Sequence, residues 1–184
     1  MVVSIGSAWR MPDQPDPLRV TCRDKISGAI GERSNAMDGP TAGKALERLE
    51  ALVGEWVLEA KPPDGPPWPG GARTTIEWHD SGAHLVARST VEMPEAPDSI
   101  SIMGCDGAIG TYFQLYSDER GVCRVYQMRI GDGRWELWRE GEPFPQRFTA
   151  TISDDGDTIM GRWEKALDGH TWQTDFDLTY RRVG

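Results

Sequence analysis

The segment 146–182 constrains the fold most, because it places two Asp-Gly dipeptides between runs of alternating apolar and polar residues. Asp-Gly in this setting is the strongest short-range signal for a β-hairpin. The dipeptides Asp155-Gly156 and Asp168-Gly169 therefore predict three consecutive antiparallel strands joined by two tight turns.

Each of these turns fixes which residues lie opposite one another, so the two can be checked against each other. The first turn predicts the pairs Phe148 with Trp163, Ala150 with Gly161 and Arg147 with Glu164. The second predicts the pairs Gly161 with Phe176, Ile159 with Leu178 and Arg162 with Asp175. Both give one apolar and one charged face, and a slip of one residue would exchange the faces. The small residue Gly161 should leave room for the ring of Phe176.

Turn signals recur at short intervals along the rest of the chain, with strand-like segments between them. Sequential hairpins without a long crossover predict an all-β fold, a single up-and-down antiparallel barrel of about ten strands. Apolar residues on one side of the segment 45–53 predict one short N-terminal helix, which precedes the first strand of the barrel. We expect residues 1–40 to form a disordered leader, with Met37 as an alternative start, and residues 41–184 to form the barrel domain.

The composition excludes several classes of partner. A net charge of -9 argues against nucleic acid and against an anionic membrane surface as targets. No segment approaches the roughly 20 apolar residues of a membrane-spanning helix, and the N-terminus lacks the pattern of a signal peptide. Three cysteines without metal-type spacing favour a reducing, cytoplasmic location.

A cationic group is predicted at one end of the apolar wall. The turn at Asp132-Gly133 places Met128 opposite Leu137 and Ile130 opposite Trp135, and it extends the same face to Tyr126, Arg139 and Arg124. An apolar wall with a few convergent polar groups is typical of small-molecule sites. Arginine can form a fork with a carboxylate while tyrosine donates a third hydrogen bond. The alternative is that both arginines lie at the rim and reach water.

Two other groups of residues are candidates for sites. His79 and His84 should face each other across the Ser81-Gly82 turn, close enough to share a metal. Because their apolar neighbours lie on the opposite face of the two strands, the histidines should face solvent, and we predict no metal site. The charged pairs of the segment 146–182 have the pattern of exposed ion pairs. No Ser-His-Asp or Cys-His arrangement emerges, so no catalytic residue is assigned and enzymatic activity stays an open question that the sequence disfavours.

The inward face of the strand around residues 112–116 is ambiguous, because the following turn could contain three or four residues. Either Tyr112 and Tyr116 or Phe113 and Leu115 face the interior.

The segment 42–182 resembles the calycin superfamily, which includes lipocalins, fatty-acid-binding proteins and nitrobindin-like haem barrels. The resemblance is carried by the short helix, by Gly54-Glu55-Trp56 at the first strand and by the meandering strands. The C-terminal motifs at residues 146–148, 161–164 and 175–180 are similar to those of an uncharacterised calycin-like family of small bacterial proteins. Nitrobindin-like barrels hold haem through a histidine near the C-terminal end of the barrel, whereas the last strand here, residues 171–182, has none.

Three functions follow from these observations. The first is a small-molecule-binding barrel for an apolar ligand with an anionic group, without an assigned cofactor. The ligand would be oriented by Arg124, Tyr126 and Arg139, and the wall would be formed by Trp135, Leu137, Phe148, Trp163 and Phe176. The second is a nitrobindin-like haem barrel that acts on nitrogen oxides or peroxynitrite. The third is a packed barrel that serves as an interaction module, and a homodimer is left open.

Overall fold

The structure is a computed structural model that describes residues 40–184, with side chains described from residue 43 onward. Met37 and all but the last residue of the predicted leader lie outside the described residues. No helix within residues 40–184 is long and apolar enough to cross a membrane.

The described chain begins with helix α1 (Pro40–Glu47) and a 3-10 helix (Arg48–Leu52), and ten strands follow. The strands are β1 (Gly54–Lys61), β2 (Ala72–Trp78), β3 (His84–Val91), β4 (Ser99–Asp106), β5 (Thr111–Asp118), β6 (Cys123–Gly131), β7 (Arg134–Arg139), β8 (Gln146–Ile152), β9 (Thr158–Lys165) and β10 (Gln173–Arg182). Each strand pairs with the next along the chain, and β1 pairs with β10, so the sheet closes into an antiparallel barrel. The predicted fold class, including the short N-terminal helix, is confirmed.

The helices close one end of the barrel. Leu49 and Leu52 are fully buried and pack against Trp56 at the start of β1. The indole N–H of Trp56 donates to the Leu52 carbonyl, and the hydroxyl of Tyr112 on β5 donates to the Ala45 carbonyl. This end is therefore sealed by apolar packing and by two hydrogen bonds from inward-facing aromatic side chains.

The predicted registers of two hairpins are confirmed. Across β8 and β9, Phe148 lies opposite Trp163 and Ala150 opposite Gly161. Across β6 and β7, all the apolar pairs predicted from the Asp132-Gly133 turn are present. The ladder between these two strands ends at Gln127 and Trp138, one residue before Tyr126 and Arg139.

The predicted register of the last hairpin is wrong by two residues. Phe176 pairs with Trp163, Leu178 with Gly161, and Arg162 with Asp177 instead of Asp175. The connection is longer than a two-residue turn, because the Asp168 carboxylate accepts hydrogen bonds from the backbone N–H groups of His170 and Thr171. A bulge between Thr174 and Phe176 then adds a further shift. The two shifts together move the strand by an even number of residues, so the apolar face stays inside.

The space left by Gly161 is used by a different ring from the predicted one. A Cβ atom at this position would collide with the ring of Phe148, on the neighbouring strand β8, and not with Phe176. The sequence identified a position that must be small but assigned it the wrong neighbour.

The face of β5 is now assigned. Tyr112 and Gln114 are buried inside the barrel, and the Tyr116 hydroxyl donates to Asp118 on the same inward face. Phe113 and Leu115 consequently face outward.

Candidate functional site

The candidate site lies at the end of the barrel opposite the helices, which we call the mouth. Here β6 begins, β7 ends and β8 begins, and these three strand ends bring Arg124, Tyr126, Arg139 and Gln146 together. Arg139 and Gln146 are direct cross-strand partners. The alternation of each strand turns the four side chains toward the interior.

Two of the predicted residues converge on one atom. Nη1 of Arg124 and the hydroxyl of Tyr126 both donate to Oε1 of Gln146, the latter over 3.0 Å. All three side chains are buried, and Gln146 is only 1% exposed. Burial raises the pKa of Tyr126, against an opposing effect of Arg124. The hydroxyl therefore keeps its proton at neutral pH and acts as a donor.

Arg139 lies beside this group with different partners. Its guanidinium donates to the backbone carbonyls of Glu142 and Phe144, in the loop between β7 and β8. Burial lowers the pKa of Arg139, and the nearby charge of Arg124 lowers it further. Among residues 40–184, Arg139 forms no ion pair with a carboxylate.

Two ion pairs surround these residues. Lys165 at the end of β9 donates to Asp175 over 2.8 Å, and both side chains are largely buried. Asp118 at the end of β5 accepts a bond of 2.6 Å from Arg120. Burial acts to raise the pKa of Asp118, but the hydrogen bonds from Arg120 and Tyr116 outweigh it and the pKa is lowered.

Aromatic rings form the wall below the charged groups. Trp163 packs edge-on against Tyr126 at 5.6 Å and lies 5.1 Å from the ring of Phe148. Trp68, in the proline-rich loop 62–71, lies 5.5 Å from the ring of Phe176. Trp163 and Phe176 are half-buried, although they face inward. The mouth therefore retains accessible aromatic surface next to its guanidinium groups.

The remaining predicted wall residues lie deeper. Trp135, Leu137 and Phe148 are each at most 4% exposed and belong to the core. Trp135 precedes Arg139 by four residues on β7, which is about 13 Å along a strand. The structure thus separates the predicted residues into a mouth group and a core group.

The interior leaves little space below the mouth. An internal cavity of about 50 Å³ lies among strands β2 to β5, β7 and β10. Pockets that hold drug-sized ligands or cofactors are usually about 300–1,000 Å³. The cavity is therefore too small for a fatty acyl chain or a porphyrin in this conformation.

The histidines do not provide an interior ligand for haem. The rings of His79 and His84 stack at 4.6 Å at the turn between β2 and β3, and Nδ1 of His79 is hydrogen-bonded to Ser81. His170 is exposed in the loop after β9. Within the part of the chain that is described, no three His, Cys, Asp or Glu side chains cluster as metal ligands.

Gln146 is the central residue that sequence reasoning missed. The signal was present, because Gln146 shares the inward face with Phe148 and Ala150 and is the polar member of that series. Gln114 was missed because the inward face of its strand, β5, was left open. A polar residue near a strand end is easily assigned to the rim, where water would satisfy its hydrogen bonds.

Comparison with known proteins identifies the fold and no more. No family model and no curated protein matches the chain. The crystal structure of Rv2717c from M. tuberculosis is similar with a TM-score of 0.55 and 14% identity, over 76% of this chain and 98% of that one. A protein of unknown function from the DUF3598 family of Nostoc punctiforme PCC 73102 matches with a TM-score of 0.48 and 16% identity, over 73% of this chain and 49% of that one. At these identities the likeness of Rv2717c supports the barrel alone.

Proposed function

We propose that the protein is a non-enzymatic barrel that binds a small, mainly apolar ligand at its mouth and orients it by an anionic group. The observation that carries the proposal is the convergence of Arg124 and Tyr126 on the neutral Oε1 of Gln146. A ligand carboxylate could replace this amide oxygen as the acceptor. Charge-assisted hydrogen bonds to a carboxylate are roughly twice as strong as bonds between neutral groups.

Arg139 supplies the second half of the proposed anion site. Its guanidinium is directed at backbone carbonyls, which satisfy its hydrogen bonds without neutralising its charge. Arginine is suited to a planar carboxylate because its donors form a rigid fork. A ligand bound beside Gln146 would therefore add a counter-charge to a half-buried cation.

The apolar part of the ligand would lie on the aromatic wall. Trp163 and Phe176 keep accessible surface there, and Trp68 covers one side of Phe176. Because the inner cavity is only about 50 Å³, the ligand would rest in the mouth and not pass into the barrel. A short aliphatic chain or a single ring fits this description better than a long fatty acid.

We also propose that the chain is a calycin-like barrel of the cytoplasm. Gly54 and Trp56 of the predicted motif open β1, and Arg182 from the last strand lies over the Trp56 ring at 4.1 Å. The first and last strands are thus tied together where the motif predicts the barrel to begin. The cytoplasmic location rests on the cysteine content.

Tryptophan fluorescence titration tests the proposed ligand class. We would titrate the protein with carboxylates of six to twelve carbons and with the matching alcohols. We expect tighter binding of the carboxylates, and a loss of about tenfold or more in Arg139→Ala, since hydrogen bonds to charged groups contribute about 1.5–3 kcal/mol. Arg147→Ala, on the outer face, is the matched control and should bind as the wild type does. Equal affinities for acids and alcohols would refute the anion site.

The packed interior favours a second candidate function, an interaction module without a ligand. Aromatic rings pack against one another in the core, with Trp135 lying 5.2 Å from Phe148 and 5.9 Å from Tyr180. Native mass spectrometry of the freshly purified protein distinguishes the candidates, because a co-purified small molecule supports binding at the mouth. The haem alternative has less support, since His79 and His84 lie at a turn outside the barrel interior and the cavity is small. A strong absorbance band of haem in the purified protein would restore it.

A further inference from the structure

A second candidate site lies deeper in the barrel than the mouth. It is the cavity of about 50 Å³ described above. Six strands contribute polar side chains to its wall: Thr74, Ser89, Ser101, Gln114, Trp135 and Tyr180. Apolar neighbours such as Ile76 and Met103 complete the wall.

Two buried polar atoms at this cavity have no hydrogen-bond partner among the described residues. They are Oε1 of Gln114 and Nε1 of Trp135. Gln114 is 7% exposed and Trp135 is 4% exposed, so bulk water does not satisfy them. Buried polar groups in folded proteins nearly always have a partner. An acceptor and a donor without a protein partner thus belong to two side chains of the same cavity wall.

Other polar groups of the wall are engaged with one another. The Ser89 hydroxyl donates to Thr74 over 2.9 Å, and the amide nitrogen of Gln114 donates to Ser101 over 3.3 Å. The second bond holds the Gln114 amide, and the protein leaves its oxygen unpaired. The unpaired atoms are thus parts of side chains that are otherwise fixed.

The wall also specifies the charge and size of what can bind. No Asp, Glu, Lys, Arg or His side chain lines the cavity, and an ion without a counter-charge is strongly disfavoured in such a place. A water molecule needs about 10–15 Å³ of such cavity volume, so a cavity of about 50 Å³ has room for roughly three or four water-sized groups. A molecule of roughly three or four non-hydrogen atoms is the upper limit on this scale.

We propose that this cavity is a binding site for a small uncharged molecule of the primary-amide class, whose carbonyl accepts from Trp135 and whose N–H donates to Gln114. An amide group places its acceptor and its donor on neighbouring arms of one planar unit. The site is independent of the anion site at the mouth, because it contains neither of the arginines and has no charged wall. Water molecules that bridge the same two atoms are the competing occupant.

Formamide and formate form a matched pair of probes for this site. Both have three non-hydrogen atoms, but formamide is neutral and both donates and accepts, whereas formate is charged and only accepts. The readout is the indole N–H signal of Trp135 in protein labelled with ¹⁵N, assigned by its disappearance in Trp135→Phe. We expect a saturable shift of this signal with formamide and none with formate.

Two variants separate hydrogen bonding from simple packing. Gln114→Leu removes the unpaired acceptor at similar volume and should raise the dissociation constant for formamide at least tenfold. Met103→Leu changes the same wall without removing a hydrogen bond, and the dissociation constant of this variant for formamide should stay within about twofold of the wild-type value. Equal effects of the two variants would overturn the proposal. If a variant misfolds, the comparison of formamide with formate still tests the proposal, because it needs only the wild-type protein.

Three results with the wild-type protein would each overturn the proposal. The first is a shift that stays linear in formamide concentration while bound waters fill the cavity in crystals, which would show a hydration site only. The second is a saturable shift with formate equal to that with formamide. The third is saturable binding of xenon in the cavity, because xenon occupies dry apolar cavities and not hydrated polar ones.

Discussion

The ring of Phe148 occupies the space that a side chain at Gly161 would need. Phe148 is 1% exposed, and its ring also lies 5.2 Å from Trp135 and 5.1 Å from Trp163. It cannot move aside without disturbing two other aromatic contacts. A small residue is therefore required at position 161 by packing, while the backbone there is ordinary strand.

We expect Gly161→Ala to lower the free energy of unfolding by about 1–3 kcal/mol, the usual cost of overpacking a core. Urea denaturation measures this difference. Gly43→Ala is the control, because a Cβ there meets nothing within 4 Å and alanine favours a helix over glycine by about 1 kcal/mol. If Gly161→Ala is as stable as the wild type, Phe148 has more room than the structure indicates.

The sequence predicted the barrel well because alternation and turn chemistry act locally. At Asp155-Gly156 and Asp132-Gly133 the turn alone set the register, and the structure confirms both. At Asp168-Gly169 it did not, because the Asp168 carboxylate organises a longer loop and the bulge at Asp175 shifts the ladder again. The alternation of apolar and polar residues in this hairpin shows neither which backbone N–H groups the carboxylate binds nor where the bulge lies.

The sequence predicted part of the candidate site, because the pairing of adjacent strands also follows from local turns. Strand pairing brought Arg124, Tyr126 and Arg139 to one end of the wall, and the structure finds them there. It could not show that Gln146 would accept both hydrogen bonds, because side-chain contacts between non-adjacent strands depend on the curvature of the closed barrel. The same limit hid the cavity between Gln114 and Trp135.

The outer-face pair of Glu164 and Arg147 should give the stability a specific dependence on pH. Two hydrogen bonds of 2.6 and 3.0 Å from Arg147 lower the pKa of Glu164 below its ordinary value of 4.5. Because the unfolded chain then binds the proton more readily, the contribution is fully present above about pH 4.5 and is lost as the pH falls through the lower, folded-state pKa. Both side chains are partly exposed, so the contribution is at most about 1 kcal/mol.

We therefore expect Glu164→Gln to be less stable than the wild type at pH 7 by up to about 1 kcal/mol, with the difference shrinking as the pH falls below about 4.5. Urea denaturation at several pH values between 3 and 7 measures it. Glu77→Gln, an exposed position of β2 without an ion pair in residues 40–184, should stay within about 0.5 kcal/mol throughout. A difference for Glu164→Gln that is the same at pH 3 and pH 7 would contradict the linkage.

The loop residue Trp68 should affect ligand binding more than folding. Its ring packs against Phe176 at the mouth but stays half-exposed, and an aromatic contact of this kind contributes about 0.5–1.5 kcal/mol. Trp68→Ala should accordingly weaken binding of a medium-chain carboxylate by about two- to tenfold, as measured by isothermal titration calorimetry. Trp172→Ala is the matched control, since Trp172 is exposed and lies under the Arg147 guanidinium on the outer face. Equal losses in the two variants would place the ligand elsewhere.

The most direct test of the mouth uses Gln146. In Gln146→Glu a carboxylate stands where Arg124 and Tyr126 now converge on the amide oxygen, so the protein carries its own substitute for the ligand's anionic group. We expect the affinity for carboxylate ligands to fall at least tenfold while the melting temperature is kept or raised, because charge-assisted bonds replace bonds to an amide. Gln146→Leu should instead cost about 1–3 kcal/mol of stability, since two buried donors lose the acceptor that they share.

The control for this substitution introduces the same charge on the outside of strand β6, which is separated from β8 by β7. Gln127 is exposed there and pairs with Trp138, so Gln127→Glu adds the same negative charge to the protein without touching the mouth. Its ligand affinity should match that of the wild type. The contrary outcome is a Gln146→Glu protein that melts normally and binds carboxylates as tightly as Gln127→Glu does. It would show that the anionic group of the ligand binds somewhere other than between Arg124 and Tyr126.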